Sequence, residues 1–430
     1  MFDKELVKNI RAAFPRAVKD FNGRERAFFD NGTGTLVLES AAQAEAKARI
    51  DCSANVGGIF DESKSAEETI ETGRQVVADY LNAPSLNTIV SGESATTLFF
   101  TVSYALGKEF KGTENVVTTE LEHYANVSPW NELVRQGKIK EVRFARMNKE
   151  DGTLDLEHMK ELIDSNTKVV SVTSASNMTG TKIPLEPVCK IAREAQAYFL
   201  VDAVHHVPHE PIDVQAIDCD FLVFSGYKLF GSHGSFMYSN VDYLESLKPY
   251  KVKPSKNYGP AKWESGTRNQ AMFASIKGVM DHFLWLSEQV QSQYDGEFKE
   301  YAENKRALKI AMDAIQQNEK GLSKTVLKGF DDIPGLLNIL NVKVYGIIDT
   351  NRLNERDPTF AFSVDNTPHE EVVKRLWEEG GIAARAGNFY SYAQEVYNQL
   401  NVIRISLVHY NTIEEVRIFL KTLNAICSKL

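Results

Sequence analysis

The sequence predicts an α/β protein, with a large domain on a mostly parallel sheet and a smaller α+β domain after it. Three observations carry this. Short β-branched runs alternate with helix-like stretches from about residue 88 to 240. Those runs are apolar nearly throughout, as strands covered on both faces are. Past about residue 317 the character changes, and separate strand-like and helix-like segments continue to the end.

Five runs read as strands: "NTIVSG" (87–92), "ENVVTTE" (114–120), "TKVVSVTSAS" (167–176), "AYFLVDA" (197–203) and "DFLVFS" (220–225). Their branched and aromatic side chains suit a buried, pleated surface. Stretches 94–110 and 185–196 read as helices between them. Residues 275–317 read as one long helix, and 326–351 as loop and short strand. The smaller domain then follows: "PTFAFSVDN" (358–366), a helix at 368–379, "GIAARAG" (381–387), "VIRISLVHYN" (402–411) and a closing helix at 412–428. The expected division is an N-terminal arm (1–30), a large domain (31–275) and a small C-terminal domain (276–430) that includes the long connecting helix.

Composition narrows the function. The 430 residues are 43% apolar and 25% charged, ordinary for a globular enzyme with a sizeable core. The net charge of −9 argues against nucleic acid or an anionic membrane as partner. No apolar run approaches the roughly 20 residues that span a bilayer. The N-terminal "MFDKELVKNIRAAFPRAVKDF" lacks the apolar core of a secretory signal. Cys52, Cys189, Cys219 and Cys427 are scattered, so neither zinc nor a disulfide framework is expected, and a cytoplasmic location is. His205, His206 and His209 invite a metal, but Pro208 interrupts the helix that i, i+4 ligation needs, so no metal site is expected. There is no phosphate-binding G-x-x-x-x-G-K-[ST].

In parallel sheets, ligands gather at the carboxyl ends of the strands. Ser91, Gly92, Glu122, His123, Asn177, Asp202, Ser225 and Lys228 all fall at such ends. Lys228, in "VFSGYKLFGSHGS", is either a surface loop lysine or a lysine held in a pocket, where desolvation prepares it for a Schiff base. Asp202, closing "FLVD", is either a turn residue or a buried carboxylate facing a cation. A carboxylate and a lysine lining one cleft are what pyridoxal 5'-phosphate requires. The lysine forms the imine, and the carboxylate keeps the pyridine nitrogen protonated. For the phosphate, "SGESATTLFF" offers Gly92, Glu93 and Ser94 ahead of a helix N-terminus. Taken alone, that stretch is an ordinary capped helix. Ser225 can add a hydroxyl. His123, where a strand gives way to a helix, can stack on the ring, although a lone histidine is more often structural.

In that order these motifs resemble the class V aminotransferase and cysteine desulfurase family of fold-type-I pyridoxal-phosphate enzymes. The resemblance runs from "FFDNGTGT" (28–35) to "RISLVHYNTIEEV" (404–416). "EHYAN" resembles E-H-H-A-N and implies that His123 stacks on the cofactor. "SNMTGTKIPL" resembles S-N-x-x-G and implies that Asn177 neighbours the phenolic oxygen. "VDAVHHVPH" resembles V-D-G-A-Q-A-x-P-H and pairs Asp202 with the pyridine nitrogen. "SGYKLFG" resembles S-G-H-K-x-x-G and makes Lys228 the imine lysine. "WESGTRN" (263–269) resembles a segment that reaches the phosphate of a neighbouring subunit, so Thr267 implies a homodimer with shared active sites. "IRISLVHYNT" implies that Arg404 clamps the substrate carboxylate, a task suited to a planar guanidinium. Tyr390 and Asn31 are assigned to the substrate beside it.

Three departures bear on the reaction. The family's glutamine at the phenolic oxygen is His205 here, and the histidine before the lysine is Tyr227. The desulfurase loop R-x-G-H-H-C reads "RAGNFY" (385–390), with Tyr390 where the nucleophilic cysteine would stand, and no cysteine lies between Cys219 and Cys427. Persulfide formation needs a thiolate at that place. The expectation is therefore a pyridoxal-phosphate enzyme acting on an amino acid or amino-acid conjugate through an external aldimine and quinonoid. β-Elimination of the C–S lyase type is preferred, because the overall resemblance is to the desulfurase branch. The alternatives are a class V aminotransferase and a non-catalytic regulatory protein of the same fold.

Overall fold

A computed structural model describes residues 2–429. Among these residues the large sheet has seven strands: β1 (Ile89–Gly92), β2 (Asn115–Thr119), β3 (Glu141–Ala145), β4 (Thr167–Thr173), β5 (Tyr198–Asp202), β6 (Phe221–Ser225) and β7 (Ser235–Ser239). Their order is β1-β7-β6-β5-β4-β2-β3. Strand β7 is antiparallel to both neighbours, and every other pairing is parallel. All strands but β7 therefore end at one edge. Register fixes the neighbours there: Asp202 lies opposite Thr173, Ser225 opposite Ser235, and Ser235 opposite Gly92.

Strands β5 and β6 are buried on both faces, which is why their sequences do not alternate. Phe199, Phe221 and Phe224 are wholly inside. Burying a side chain of that size contributes about 1.5–3 kcal/mol. The helices Glu39–Asp51 and Gln270–Val290 pack closely: a Cβ on Gly278 would stand 2.9 Å from Cα of Ala41, so glycine permits the approach.

The smaller sheet holds β8 (Val342–Tyr345), β9 (Thr359–Val364), β10 (Arg385–Gly387) and β11 (Val402–Ser406), antiparallel in the order β8-β9-β11-β10. Helices His369–Gly380 and Ile413–Cys427 contribute to its core. Ala27 and Phe29 also enter that core, and Ala27–Phe28 pairs in parallel with Ile382–Ala383.

Two expectations need correction. The single helix over 275–317 is two helices, Gln270–Val290 and Glu303–Lys328. The chain breaks between them at Gly296 and Phe298, both at positive φ. The 326–351 stretch begins inside the second helix. Gly329–Phe330 then pairs with Ile333–Pro334, and β8 follows. Strands β3 and β7 were not foreseen. In "EVRFA" charged and apolar residues alternate at the sheet margin, and "SFMYS" is short and serine-bounded.

Candidate active site

A cavity of about 330 Å³ opens at the shared strand edge. Asp202 reaches it from the end of β5, Thr173 from β4 and Ser225 from β6. Lys228 comes from the single turn Gly226–Lys228 that follows β6. Lys228 is buried, and its Nζ donates to the carbonyl of Gly32. Burial, reinforced by the Arg404 charge, lowers its pKa to about 7, and Asp202 and Asp30 only partly oppose the shift. A lysine so placed is available as a neutral amine near neutrality. Burial raises Asp202 to about 6, while the N–H of Val204, 2.9 Å from Oδ1, and the charge of Lys228 pull the other way.

His123 forms part of another wall. Its Nδ1 accepts from the N–H of Ala125 at 3.0 Å, and burial followed by the charges of Lys228 and Arg404 brings its pKa down to about 4. Burial thus keeps the imidazole neutral near pH 7. Beneath it, buried Glu122 accepts from Thr119 Oγ1 at 2.6 Å, Asn126 Nδ2 at 2.7 Å and Thr173 N at 2.9 Å. These contacts tie the loop after β2 to β4. Gly92 leads into helix Ala95–Gly107. A Cβ there would strike Leu98 at 2.8 Å. Ser94 caps this helix by accepting from Thr97 N at 3.1 Å, and Ser94, Ala95 and Thr96 line the cavity.

The smaller sheet closes the other side. Arg404, from β11, donates to the carbonyl of Asn177 at 2.8 Å and to Thr33 Oγ1 at 2.7 Å, with its guanidinium 3.9 Å from the centre of the Phe389 ring. Arg385 grips Oδ2 of Asp30 at 2.8 and 2.9 Å. Tyr390 is 64% exposed at the mouth, in left-handed backbone at φ 57°, with its ring edge-on to His123. The carbonyl of Tyr390 accepts from Tyr124 N at 2.9 Å, so its loop is fastened to the His123 segment.

Comparison with known proteins gives the architecture its family. The profile of the class-V aminotransferases matches residues 27–305 and 305–419. The chain belongs to that family. This class-V protein is accordingly a pyridoxal-phosphate-dependent enzyme. It is similar to the cysteine desulfurase of Pectobacterium atrosepticum, 28% identical over 426 residues and 95% of each chain. It is also similar to that of Klebsiella pneumoniae, 30% identical over 427 residues and 95% of each chain. The apo cysteine desulfurase of Thermococcus onnurineus shares the fold, with a TM-score of 0.84 at 23% identity and both chains fully covered.

The class-V cavity gathers most of the residues singled out above. Lys228, Asp202, His123, Asn177, His205, Ser225, Tyr227, Ser94, Arg404 and Tyr390 all line it. Four do not. Asn31 is spent on structure, with its amide donating to Ser406 O at 2.7 Å and Phe28 O at 3.1 Å and its oxygen accepting from Tyr410. Glu93 points to solvent. Thr267 lies in an exposed loop beside residues 48–55, away from the cavity. Gly92 is the fourth; it leads into Ser94, Ala95 and Thr96, which do line the cavity. Sequence reasoning missed Gly32, Thr33, Arg385, Asn388 and Phe389, although "NGTG" and "RAGNF" flank the residues it chose.

The cavity fits the cofactor on an independent observation. Nε2 of His205 and Oδ1 of Asn177 are buried without a hydrogen-bond partner, and both residues line the cavity. Buried polar atoms are nearly always paired, and a group with polar ring substituents would supply what these two lack.

Pro208 does not keep the histidines apart, contrary to expectation. His205, His209 and Asp357 bring ligand atoms within 4.8 Å of one another, through a turn rather than a helix. Asp357 is already engaged, with both its oxygens within 3.1 Å of His206 Nδ1. Burial opposes charge on His206, but Asp357 and Glu210 outweigh it and raise its pKa to about 10. The carboxylate already faces a cation.

Proposed function

We propose that this class-V enzyme eliminates a β-leaving group, in the manner of a C–S lyase, from an amino acid or amino-acid conjugate bearing a free α-carboxylate, and that it does so without a persulfide. The observation that carries the reading is Tyr390 at the cavity mouth, in a protein whose four cysteines are all buried and none of which lines the cavity. The similarity to cysteine desulfurases supports the choice of sulfur substrates.

Bound pyridoxal phosphate supplies an electron sink for charge developing at the substrate Cα. In this reading the amine of Lys228 holds the cofactor and then takes the Cα proton, a role that its lowered pKa suits. Asp202 keeps a proton on the cofactor's ring nitrogen. His123 packs against the ring face, with Asn177 and His205 at its oxygen. Ser94, Ser225 and the start of helix Ala95–Gly107 receive the phosphate. Arg404 receives the substrate carboxylate, and Tyr227 and Tyr390 shape the space for its side chain. The leaving thiol departs with the electron pair of its C–S bond.

The same reading includes a homodimer. Thr267 is exposed and remote from its own cavity, while Ile50, in the neighbouring segment, is 74% exposed. Both features suit a loop that completes a partner's phosphate site. No helix among the described residues is long and apolar enough to cross a membrane, which accords with the proposed cytoplasmic location. Mass spectrometry of products from a panel of amino acids and cysteine conjugates tests the reading. Pyruvate or another 2-oxo acid, formed with ammonia and a thiol, is expected. Keto-acid exchange without ammonia makes the enzyme an aminotransferase, and absence of all turnover makes it non-catalytic.

A further inference from the structure

Behind His205 the polar groups continue inward. The ring of His209 lies 5.6 Å from that of His205, centre to centre. Its Nδ1 is 2.9 Å from Oε2 of Glu319, which comes from helix Glu303–Lys328. The three are 5%, 3% and 2% exposed. Atoms at both ends of this series lack a partner: Nε2 of His205 at the cavity and Oε1 of Glu319 at the helix. A buried carboxylate bonded through one oxygen is costly, and an apolar residue would fill its place without that cost. A proton shared between Glu319 and His209 offsets part of that cost. It also decides which nitrogen of His209 remains an acceptor.

We propose that Glu319 and His209 are positioning residues that fix the ring and tautomer of His205, and that through His205 they set the pH at which the lysine–cofactor linkage titrates. This rests on the reading above, in which His205 faces the cofactor. Burial, then the neighbouring cations, hold His205 neutral, whereas burial raises Glu319 to about 7, so that carboxyl changes its proton content near neutrality. Other groups act on the series. Asp357 and Lys182 bear on Glu319, Lys228, Arg404 and His206 on His205, and His409 faces His209.

The test follows the visible absorption of the holoenzyme against pH in the wild type, Glu319→Gln, His205→Gln and the double variant. Glu319→Gln is expected to move the midpoint by roughly half a pH unit, because the ring and tautomer of His205 beside the cofactor are then no longer fixed. His205→Gln is expected to move the midpoint too, and Glu319→Gln to add nothing on that background. No shift from Glu319→Gln, or the same shift with and without His205, overturns the proposal while leaving the cofactor site intact. An unmoved midpoint in His205→Gln overturns the placement of His205 itself. Should Glu319→Gln fail to fold, histidine nitrogen NMR of the wild-type holoenzyme decides. A single His205 tautomer, with His209 protonated at Nδ1, supports the proposal, and a mixture of tautomers contradicts it.

Discussion

The guanidinium of Arg404 lies 3.9 Å from the centre of the Phe389 ring, and the two residues come from separate parts of the smaller domain. Asn177 joins them, since it accepts from Arg404 through its carbonyl and donates to Phe389 O from Nδ2 at 2.9 Å. A strand-end loop of the large domain, strand β11 and the Tyr390 loop thus close one wall together.

Arg404 has a planar fork that lysine cannot reproduce. Arg404→Lys should raise KM for the amino-acid substrate roughly ten- to a hundredfold, with a smaller fall in kcat. Steady-state kinetics checks this, and an unchanged KM places the substrate carboxylate elsewhere.

Borohydride treatment of the holoenzyme should fix the cofactor to Lys228, the lysine of the cavity with its amine held close to neutral. Peptide mapping reads this directly. Label on a different lysine contradicts the assignment. Lys228→Ala should lose nearly all turnover.

Asp202→Ala should leave the cofactor able to bind but raise the barrier by on the order of 3–4 kcal/mol, since the lost interaction matters most as charge enters the ring. The checks are kcat together with cofactor content. Near-normal kcat in a loaded variant would show that the carboxylate does not face the ring nitrogen.

The protein stripped of cofactor should show a lysine-dependent pH effect on stability. The folded pKa of Lys228 is about 7, below the ordinary 10.5. Below pH 7 the lysine is charged in both states, and the buried cation costs stability. Between pH 7 and 10.5 the unfolded lysine still holds the proton that the folded one has released. Stability therefore rises with pH across that window. Relative to Lys228→Met, the wild-type apo protein should gain stability from pH 7 to 10 in denaturant titrations. A difference that stays flat with pH contradicts the buried neutral amine.

Much of this was legible in the residues, and the rest was not for physical reasons. Strands β5 and β6 announced themselves because burial on both faces leaves uninterrupted apolar runs, and their terminal Asp202 and Ser225 fell into the cavity as read. Strand β3 did not, because charges alternate along "EVRFA" and imitate a surface segment. The break at Gly296 was hidden inside helix-like composition. Asn31 is assigned to the substrate by sequence, yet its amide is engaged by the carbonyls of Ser406 and Phe28, contacts that only the fold creates. The link between Glu319 and His209 joins residues 110 apart and leaves no local pattern.

The central claim is elimination without a persulfide. Cys52, Cys189, Cys219 and Cys427 are buried, and burial raises Cys219 well above an ordinary thiol and Cys427 to about 11. Nucleophilic sulfur is the thiolate, so Cys219 and Cys427 are poor acceptors, and none of the four lines the cavity. The direct measurement is intact mass of the holoenzyme after incubation with cysteine alone. No added sulfur on the enzyme is expected. A mass increase of one sulfur that disappears on reduction and maps to one cysteine would contradict it.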